Sequence, residues 1–286
     1  MNSKTQNAPN ISVEKTKAIT IIGAGNMGTS LLGGLVSKQY DPTKITLTST
    51  SEDKLKQIEK KFGVKTSTNN ITAVATADIV IFAIKPQIFS KVALELTATI
   101  QQKKPLIISV ATGITEASIQ QWLGGGISII RSMPNTPVVI GCGATGLFAN
   151  HYVTQNQKQW ADSILSAAGI TLWLDQENLI DAVTALSGSG PAYFFLIMEA
   201  MQQAGEKLGL PPETARILTL QTAYGAARLA QESKKTLVEL RTAVTSPGGT
   251  TEQAIKVLEK AKIREIMADT LLAAQKRAEE LSKELE

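Results

Sequence analysis

Reactive and metal-binding side chains are scarce in this sequence of 286 residues, which contains one cysteine, Cys142, and one histidine, His151. A single cysteine excludes an intramolecular disulfide. Because no metal ligands stand near it, Cys142 is predicted to be a small buried residue rather than a nucleophile. His151 stands in a polar segment, and no histidine shares the spacing of a metal site with acidic residues. The sequence therefore argues against metal catalysis and nucleophilic catalysis.

Long apolar runs and unbalanced charge are also lacking. The longest uninterrupted apolar runs, such as 79–84 and 193–198, are shorter than the roughly 20 residues that cross a bilayer. The N-terminal residues lack the apolar stretch of a signal peptide. The formal net charge is +4, and lysines are interspersed with acidic residues instead of forming a basic stripe. We therefore expect a cytoplasmic protein that binds neither nucleic acid nor membrane.

Short apolar runs alternate with helical patterns in the first part of the chain, which is typical of a doubly wound, mostly parallel α/β sheet. The predicted strands are 18–22, 45–48, 79–84, 106–110, 127–131, 145–148 and 171–174. Helical patterns between them include 31–36, 54–62, 116–123 and 155–168. Residues 1–17 are polar and are predicted to form a flexible tail. The sheet domain is then expected over 18–177.

After residue 177 the pattern is helical, and we expect an all-α domain over residues 178–286. The predicted helices are 178–186, 191–208, 213–230, 237–243, 251–260 and 264–285. The segment 193–198 is apolar on every helical face, so it must be buried all round. Burial inside the domain and burial against a second subunit both satisfy this requirement. Together with the length of the helices, it favours a homo-oligomer with a dimer interface in this domain.

A glycine motif of the form G-x-G-x-x-G follows the first predicted strand and precedes a helix. The residues are Gly23, Ala24, Gly25, Asn26, Met27 and Gly28. In this context the first glycine permits a tight turn, the second lets the backbone approach a pyrophosphate, and the third lets helix and strand pack closely. The motif predicts a dinucleotide site, and a tight turn without a ligand is the alternative.

The end of the second predicted strand indicates which dinucleotide is bound. An NAD site usually places an acidic residue there to bind the ribose 2′-hydroxyl. Here the strand ends Thr48-Ser49-Thr50-Ser51, whose hydroxyls can donate to a 2′-phosphate. Glu52 follows, but at the start of a helix it complements the helix dipole. The sequence therefore favours NADPH and does not exclude NADH.

Two further segments end predicted strands and should lie at the same edge of the sheet. They are Ala83-Ile84-Lys85-Pro86 and residues 131–137 (RSMPNTP). Ligands of open parallel sheets bind at the carboxyl ends of the strands. Lys85 is therefore expected either to face the cofactor or to be a solvated lysine after a strand.

The segment 244–255 (VTSPGGTTEQAI) forms a turn before a predicted helix. Thr250-Thr251-Glu252-Gln253 has the pattern of a capping box, with Gly248 and Gly249 supplying the turn. A helix N-terminus also presents free N–H groups and partial positive charge, so the same turn can bind an anion. Local sequence leaves both interpretations open.

These segments, together with residues 179–193 (LIDAVTALSGSGPAY), carry a resemblance to the pyrroline-5-carboxylate reductase family. The resemblance runs from about residue 18 to the C-terminus. It implies a Rossmann domain followed by a helical dimerisation domain, with homodimers that assemble into larger rings. It also implies NAD(P)H-dependent reduction of 1-pyrroline-5-carboxylate to L-proline, the last step of proline biosynthesis.

The resemblance further implies roles for individual residues. Those implied for the cofactor are Gly23, Ala24, Gly25, Asn26, Met27, Gly28, Ser49, Asn70, Ala83, Ile84, Lys85, Pro86, Val110, Ala111 and Thr112. Those implied for the imino acid are Glu177, Ser246, Gly248, Gly249, Thr250 and Thr251, with Thr251 as the catalytic residue. Ala243 stands where some family members have asparagine.

Reduction of a C=N bond needs neither a metal nor a protein nucleophile, because the cofactor carries the chemistry. We expect the substrate ring nitrogen to be protonated and to be oriented by a hydrogen bond with Thr251. Another Rossmann-fold imine or β-hydroxyacid oxidoreductase is an alternative, and it would use a lysine on a helix of the second domain. The candidates for this lysine are Lys207, Lys234 and Lys235. A non-catalytic NADP-binding regulator is a second alternative.

Overall fold

The computed structural model describes residues 16–285, so the predicted tail lies almost wholly outside the described residues. The chain divides into two compact units. The first comprises the described residues up to Gly188 together with those from Ala274 onward, and the second is Ser189–Ala273. The sequence placed a domain boundary after residue 177, whereas the compact units divide eleven residues later. The difference arises because the helix that follows Glu177 packs on the sheet, where Val183 lies against Gly146.

The first unit contains an eight-stranded sheet with the strand order β3-β2-β1-β4-β5-β6-β7-β8. The strands are β1 Ile19–Ile22, β2 Ile45–Thr48, β3 Lys65–Ser67, β4 Ile79–Phe82, β5 Leu106–Ser109, β6 Ile129–Met133, β7 Gly143–Ala149 and β8 Gly169–Trp173. All neighbouring strands are parallel except β6 and β7. The sheet order reverses direction at β1, as in a doubly wound fold. The predicted fold class is confirmed.

Helices cover both faces of this sheet. Those of the first unit are α1 Asn26–Ser37, α2 Glu52–Phe62, α3 Asn70–Ala75, α4 Pro86–Lys103, α5 Glu116–Leu123, α6 Gln155–Leu165 and α7 Leu179–Val183. Alternate residues of the strands enter two separate hydrophobic clusters, because successive side chains of a strand point to opposite faces. Ile81 belongs to the cluster that contains α1 and α6, whereas Phe82 belongs to the cluster that contains α4 and α5.

Some elements and environments differ from those that the sequence predicted. β3 has no predicted counterpart, because its three residues are polar and it forms the edge of the sheet. α3 and α4 likewise have none. Cys142 was predicted to be buried, and this is wrong: it is exposed between a 3₁₀ turn, Thr136–Ile140, and β7. Buried neighbours on either side, such as Val138 and Gly143, supply the packing there.

The second unit is helical. Its helices are α8 Gly190–Lys207, α9 Pro212–Glu232, α10 Leu237–Ala243, α11 Thr250–Lys260 and the first part of α12, Ile263–Leu285. The chain alone does not bury α8 all round, since Phe194 is 66% exposed and Leu196 is also 66% exposed. The alternative that residues 193–198 are buried inside their own domain is therefore wrong. Exposed apolar side chains grouped on one helix indicate a contact with another subunit or with an apolar phase.

The helical stretch Leu179–Lys207 is long and apolar enough to cross a membrane, judged by length and composition only. Polar and charged residues, such as Asp181, Ser187 and Glu199, interrupt this stretch, so its uninterrupted apolar runs are shorter. Only 22% of this apolar window is buried inside the structure.

Phe89 of α4 tests the packing of the sheet against its helices. Its side chain is fully buried, and its ring lies 4.7 Å from that of Phe82, measured between ring centroids. We expect Phe89→Ala to lower the free energy of unfolding by about 3–5 kcal/mol, because it removes buried contacts and leaves a cavity. Urea denaturation measures the change. Ile88→Ala is the matched control, since Ile88 is 47% exposed on the same helix, and an equal loss in both variants would contradict the packing.

Candidate cofactor and substrate sites

The glycine loop between β1 and α1 is held against the ends of β2 and β4. The Gly23 N–H donates to the carbonyl oxygen of Thr48 at 3.0 Å, and φ of Gly23 is +107°. A Cβ atom on Gly23 would collide with the carbonyl oxygen of Ala83. A Cβ atom on Gly28 would collide with the carbonyl oxygen of Gly23. Glycine is therefore required at both positions by the close approach of loop, helix and strand.

Gly25 differs from these two glycines, because a Cβ atom there would meet nothing within 4 Å. It is exposed and forms the N-cap of α1 without a side chain that could accept from the helix. By contrast, α2, α3 and α5 are capped by the side chains of their N-cap residues, which are Ser51, Asn69 and Thr115. The first-turn N–H groups of α1 therefore face open space, which is the arrangement that binds a pyrophosphate. The loop fits a dinucleotide.

Ser49 follows β2 and is fixed by two backbone hydrogen bonds. Its N–H donates to the carbonyl oxygen of Ser67 at 3.2 Å, and its Oγ accepts from the N–H of Ser51 at 3.2 Å. No hydrogen bond in the described part of the chain uses the Ser49 hydroxyl as donor, so it can donate to a ligand. Glu52 begins α2 instead of ending the strand. The strand end therefore carries hydroxyls and no carboxylate.

The other predicted cofactor residues lie at the same edge of the sheet. Asn70 is the first residue of α3, and its side chain forms no hydrogen bond with any described residue. Residues 83–86 link β4 to α4, where Lys85 is an exposed N-cap residue without a side-chain cap. Residues 110–112 follow β5, with the Thr112 hydroxyl 3.6 Å from the sulfur of Met133. Since β1, β2, β4 and β5 are parallel, the fold brings these segments to one edge.

Glu177 lies in the first unit, in an ion pair that the sequence did not predict. Its Oε1 atom is 2.6 Å from Nη1 of Arg131, a β6 residue that is 4% exposed. The same oxygen accepts the N–H of Glu116 at 2.6 Å. The sequence predicted that residues 131–137, and so Arg131, lie at the ligand-binding edge of the sheet. It did not predict the partner of Arg131, which is 46 residues away in the sequence. Only the folded sheet brings the two together.

Two further acidic residues lie near this pair. Asp181 of α7 and Glu279 of α12 line the same pocket as Arg131 and Glu177, together with Lys283. Burial raises the pKa of Asp181 above its ordinary value, and the charges of Glu279 and Glu177 raise it further, while Arg131 lowers it. This part of the first unit therefore concentrates negative charge around one buried guanidinium.

The predicted turn of the second unit precedes α11. Gly248 has a φ of +74°, and the Gly249 N–H donates to the carbonyl oxygen of Ser246 at 3.0 Å. The Glu252 carboxylate accepts from the Gly248 N–H at 3.1 Å. The pKa of Glu252 is held below its ordinary value, first by Lys256 and then by this N–H.

The capping box predicted for residues 250–253 is wrong. The N-cap of α11 is Gly249, so Thr250 and Thr251 are the first two helical residues and neither caps the helix. Among the described residues, no side chain accepts from the first-turn N–H groups, and none hydrogen-bonds the half-buried Thr251 hydroxyl. The turn therefore leaves both the N–H groups and this hydroxyl available to a ligand, which is the anion-site interpretation.

The doubly wound sheet and its glycine loop define a dinucleotide-binding protein of the Rossmann class. The family model described as NADP oxidoreductase coenzyme F420-dependent matches residues 18–113. The family model described as pyrroline-5-carboxylate reductase dimerisation matches residues 177–281.

Two relatives that match nearly the whole chain are both pyrroline-5-carboxylate reductases. The pyrroline-5-carboxylate reductase of Pseudomonas aeruginosa is 46% identical over 270 residues, covering 94% of this chain and 98% of the relative. That of Vibrio alginolyticus is 41% identical over 268 residues, covering 93% and 98%. This chain belongs to the pyrroline-5-carboxylate reductase family, and it is accordingly an oxidoreductase with a dimerisation domain.

Solved structures agree with this assignment. A pyrroline-5-carboxylate reductase from Coxiella burnetii is 50% identical with a TM-score of 0.91, covering 93% of this chain and 99% of that one. The Plasmodium falciparum pyrroline carboxylate reductase, solved with NADP bound, is 26% identical with a TM-score of 0.83, covering 94% and 99%. The predicted family and fold class are confirmed.

Ser49 tests the preference for NADPH. We expect Ser49→Asp to raise the KM for NADPH at least about fivefold and that for NADH much less, because the carboxylate repels only the 2′-phosphate. Steady-state kinetics with each cofactor measures both values. Thr50→Asp is the control, because it adds the same charge at an exposed residue next to Ser49. Equal changes for the two cofactors in Ser49→Asp would exclude Ser49 as the phosphate contact.

Proposed function

We propose that this chain reduces 1-pyrroline-5-carboxylate to L-proline in the cytoplasm, with NADPH as the preferred hydride donor and NADH as a second one. The observation that carries the proposal is 46% identity over 94% of the chain to a pyrroline-5-carboxylate reductase. The open first turns of α1 and α11 support it, because the reaction needs one site for a pyrophosphate and one for a carboxylate.

The edge of the sheet would hold the cofactor. The first-turn N–H groups of α1 would bind the pyrophosphate, and the Ser49 hydroxyl would donate to the 2′-phosphate. Asn70 would lie at the adenosine ribose, and residues 83–86 and 110–112 would line the remainder of the dinucleotide. When bound, the dinucleotide supplies the hydride, and the protein contributes orientation and electrostatics.

The turn before α11 would bind the substrate carboxylate. Ser246, Gly248, Gly249 and Thr250 shape a helix N-terminus at which the Gly248 N–H donates to Glu252 but the first-turn N–H groups of α11 lack side-chain partners. A carboxylate at this position gains hydrogen bonds and the favourable end of the helix dipole. We also assign Glu177, which lies in the first unit, to the binding of the imino acid.

Thr251 would orient the reacting C=N bond. Its hydroxyl has no partner among the described residues, so it can hydrogen-bond the ring nitrogen. Protonation of that nitrogen makes the neighbouring carbon electrophilic, and the hydride adds to this carbon. Holding the carbon at a near-attack distance is the main catalytic contribution of the protein.

Another imine or β-hydroxyacid oxidoreductase would need a lysine in the second unit, and the structure offers no suitable one among the candidates. Lys207 is the exposed last residue of α8, and Lys234 and Lys235 are exposed between α9 and α10. A non-catalytic NADP-binding regulator would not require the open turn at α11. Both alternatives are therefore less well supported.

Turnover tests the proposed function. The purified protein is mixed with NADPH and pyrroline-5-carboxylate, and the loss of NADPH absorbance is compared with the L-proline formed. We expect one proline for each NADPH consumed. NADPH binding without turnover would support the regulator, and turnover only with other imines or with hydroxyacids would support the related oxidoreductases.

The dimerisation domain and the exposed apolar α8 predict a homodimer, and we propose that dimers assemble further into a ring. Light scattering should give twice the 30.5 kDa chain mass or a multiple of it. Phe195→Glu should lower the mass to that of a monomer, because it places a charge on the apolar surface. Gln203→Glu on the same helix is the control. An active wild-type monomer would contradict the assembly.

Thr251 tests the substrate turn. We expect Thr251→Ala to lower kcat/KM for pyrroline-5-carboxylate about 10- to 150-fold, the effect of losing a hydrogen bond to a charged group worth roughly 1.5–3 kcal/mol. Thr251→Ser should stay near wild type because it keeps the hydroxyl. Binding of NADPH should be unchanged in both.

Thr270→Ala serves as the control in the same unit, since the Thr270 hydroxyl donates only within α12. Wild-type kinetics in Thr251→Ala would remove this threonine from the site. Because Thr251 does not cap α11, its loss should leave the melting temperature almost unchanged.

A further inference from the structure

The two carboxylate oxygens of Glu177 have different surroundings. Oε1 accepts two short hydrogen bonds, from Nη1 of Arg131 and from the N–H of Glu116, each at 2.6 Å. Oε2 accepts none from any described residue, and the side chain is 29% exposed. One oxygen is therefore fixed by the protein, and the other is available to a ligand.

The groups that fix Oε1 are themselves held rigidly. Arg131 lies on β6, an interior strand of the sheet, and its side chain is 5% exposed. Glu116 is the first residue of α5, so its N–H belongs to the positive end of that helix. The Glu116 carboxylate accepts from the side chain of Asn150 at 2.7 Å, and Asn150 accepts from the Ile129 N–H at 3.1 Å. These bonds join the start of α5 to β6.

The geometry of the ion pair is not the one expected if Glu177 served only to neutralise the buried Arg131. A carboxylate can accept two parallel bonds from a guanidinium, and that is the stronger arrangement. Here only Nη1 is used, while Nη2 is buried without a hydrogen-bond partner in the described part of the chain. The observed orientation leaves both Nη2 and Oε2 without a hydrogen bond to any described residue.

The surrounding charge favours a cation at Oε2. Asp181, Glu279 and Lys283 share the pocket with this pair, so acidic groups outnumber basic ones. The protonated ring nitrogen of an imino acid is a cation of suitable size. Resting on the proposed function, we propose that Arg131 is a positioning residue, which with the Glu116 N–H fixes Glu177 so that its free oxygen stabilises the positive charge of the protonated substrate.

Kinetics of Arg131 variants tests this role. Arg131→Met should raise the KM for pyrroline-5-carboxylate about 10- to 100-fold, the effect of losing one charge-assisted interaction, with little change in the KM for NADPH. Arg131→Lys should recover much of the loss, because it restores a charge beside Oε1. Lys103→Met, which breaks the exposed pair with Asp78 at 3.8 Å, is the matched control and should leave both KM values unchanged.

A double mutant separates positioning from packing. Glu177→Gln keeps an oxygen that accepts from both donors but replaces the free oxygen by an amide N–H₂. It should raise the substrate KM as Arg131→Met does, and Arg131→Met should add little to it if the arginine acts through Glu177. Additive losses, equal increases in both KM values, or failure of lysine to rescue would each overturn the role of Arg131. An inactive wild type would instead overturn the proposed function.

Discussion

The first unit depends on one close approach, between the glycine loop and the end of β4. Gly23 and Gly28 stand where any Cβ atom would collide with a backbone carbonyl, of Ala83 and Gly23 respectively. The absence of these two side chains lets α1 begin directly at the sheet edge, between the ends of β2 and β4. As a result, the open first turn of α1 lies at the same edge as Ser49 and residues 83–86. A methyl group at either position would move the helix away from these segments.

Helix N-termini supply the electrostatics of the proposed reaction. Those of α2, α3 and α5 are capped by hydroxyl or amide side chains, whereas those of α1 and α11 begin at glycine without a side-chain cap. The N-termini of α1 and α11 belong to different compact units. In the proposed reaction each would offer its own unit an anion site, for a pyrophosphate in the first and a carboxylate in the second. The start of α5 is used differently, because Glu177 already occupies its first N–H.

Local patterns in the sequence predict the features that depend on neighbouring residues. Apolar runs locate seven of the eight strands, and β3 escapes because Lys65, Thr66 and Ser67 carry no apolar signal. The glycine motif predicts its loop because its conformation is set within six residues. The turn at α11 is located correctly, but Gly249 takes the N-cap position that the pattern assigned to Thr250.

Features that depend on distant residues are not predicted. Arg131 and Glu177 are 46 residues apart and meet because β6, which contains Arg131, and β8, which Glu177 follows, belong to one sheet. The sequence pattern of α8 does not distinguish a domain core from a subunit interface, because both require an apolar helix. In the folded chain Phe194 and Phe195 are exposed, so they do not belong to the core of their own domain.

The most direct test of the central claim follows the hydride itself. NADPH carrying deuterium at the transferable position is incubated with the protein and pyrroline-5-carboxylate, and the proline is examined by mass spectrometry and NMR. The account predicts one deuterium on the ring carbon that formed the C=N bond, in proportion to the NADPH consumed. Proline without deuterium, or deuterium at another carbon, would contradict direct hydride transfer to that bond.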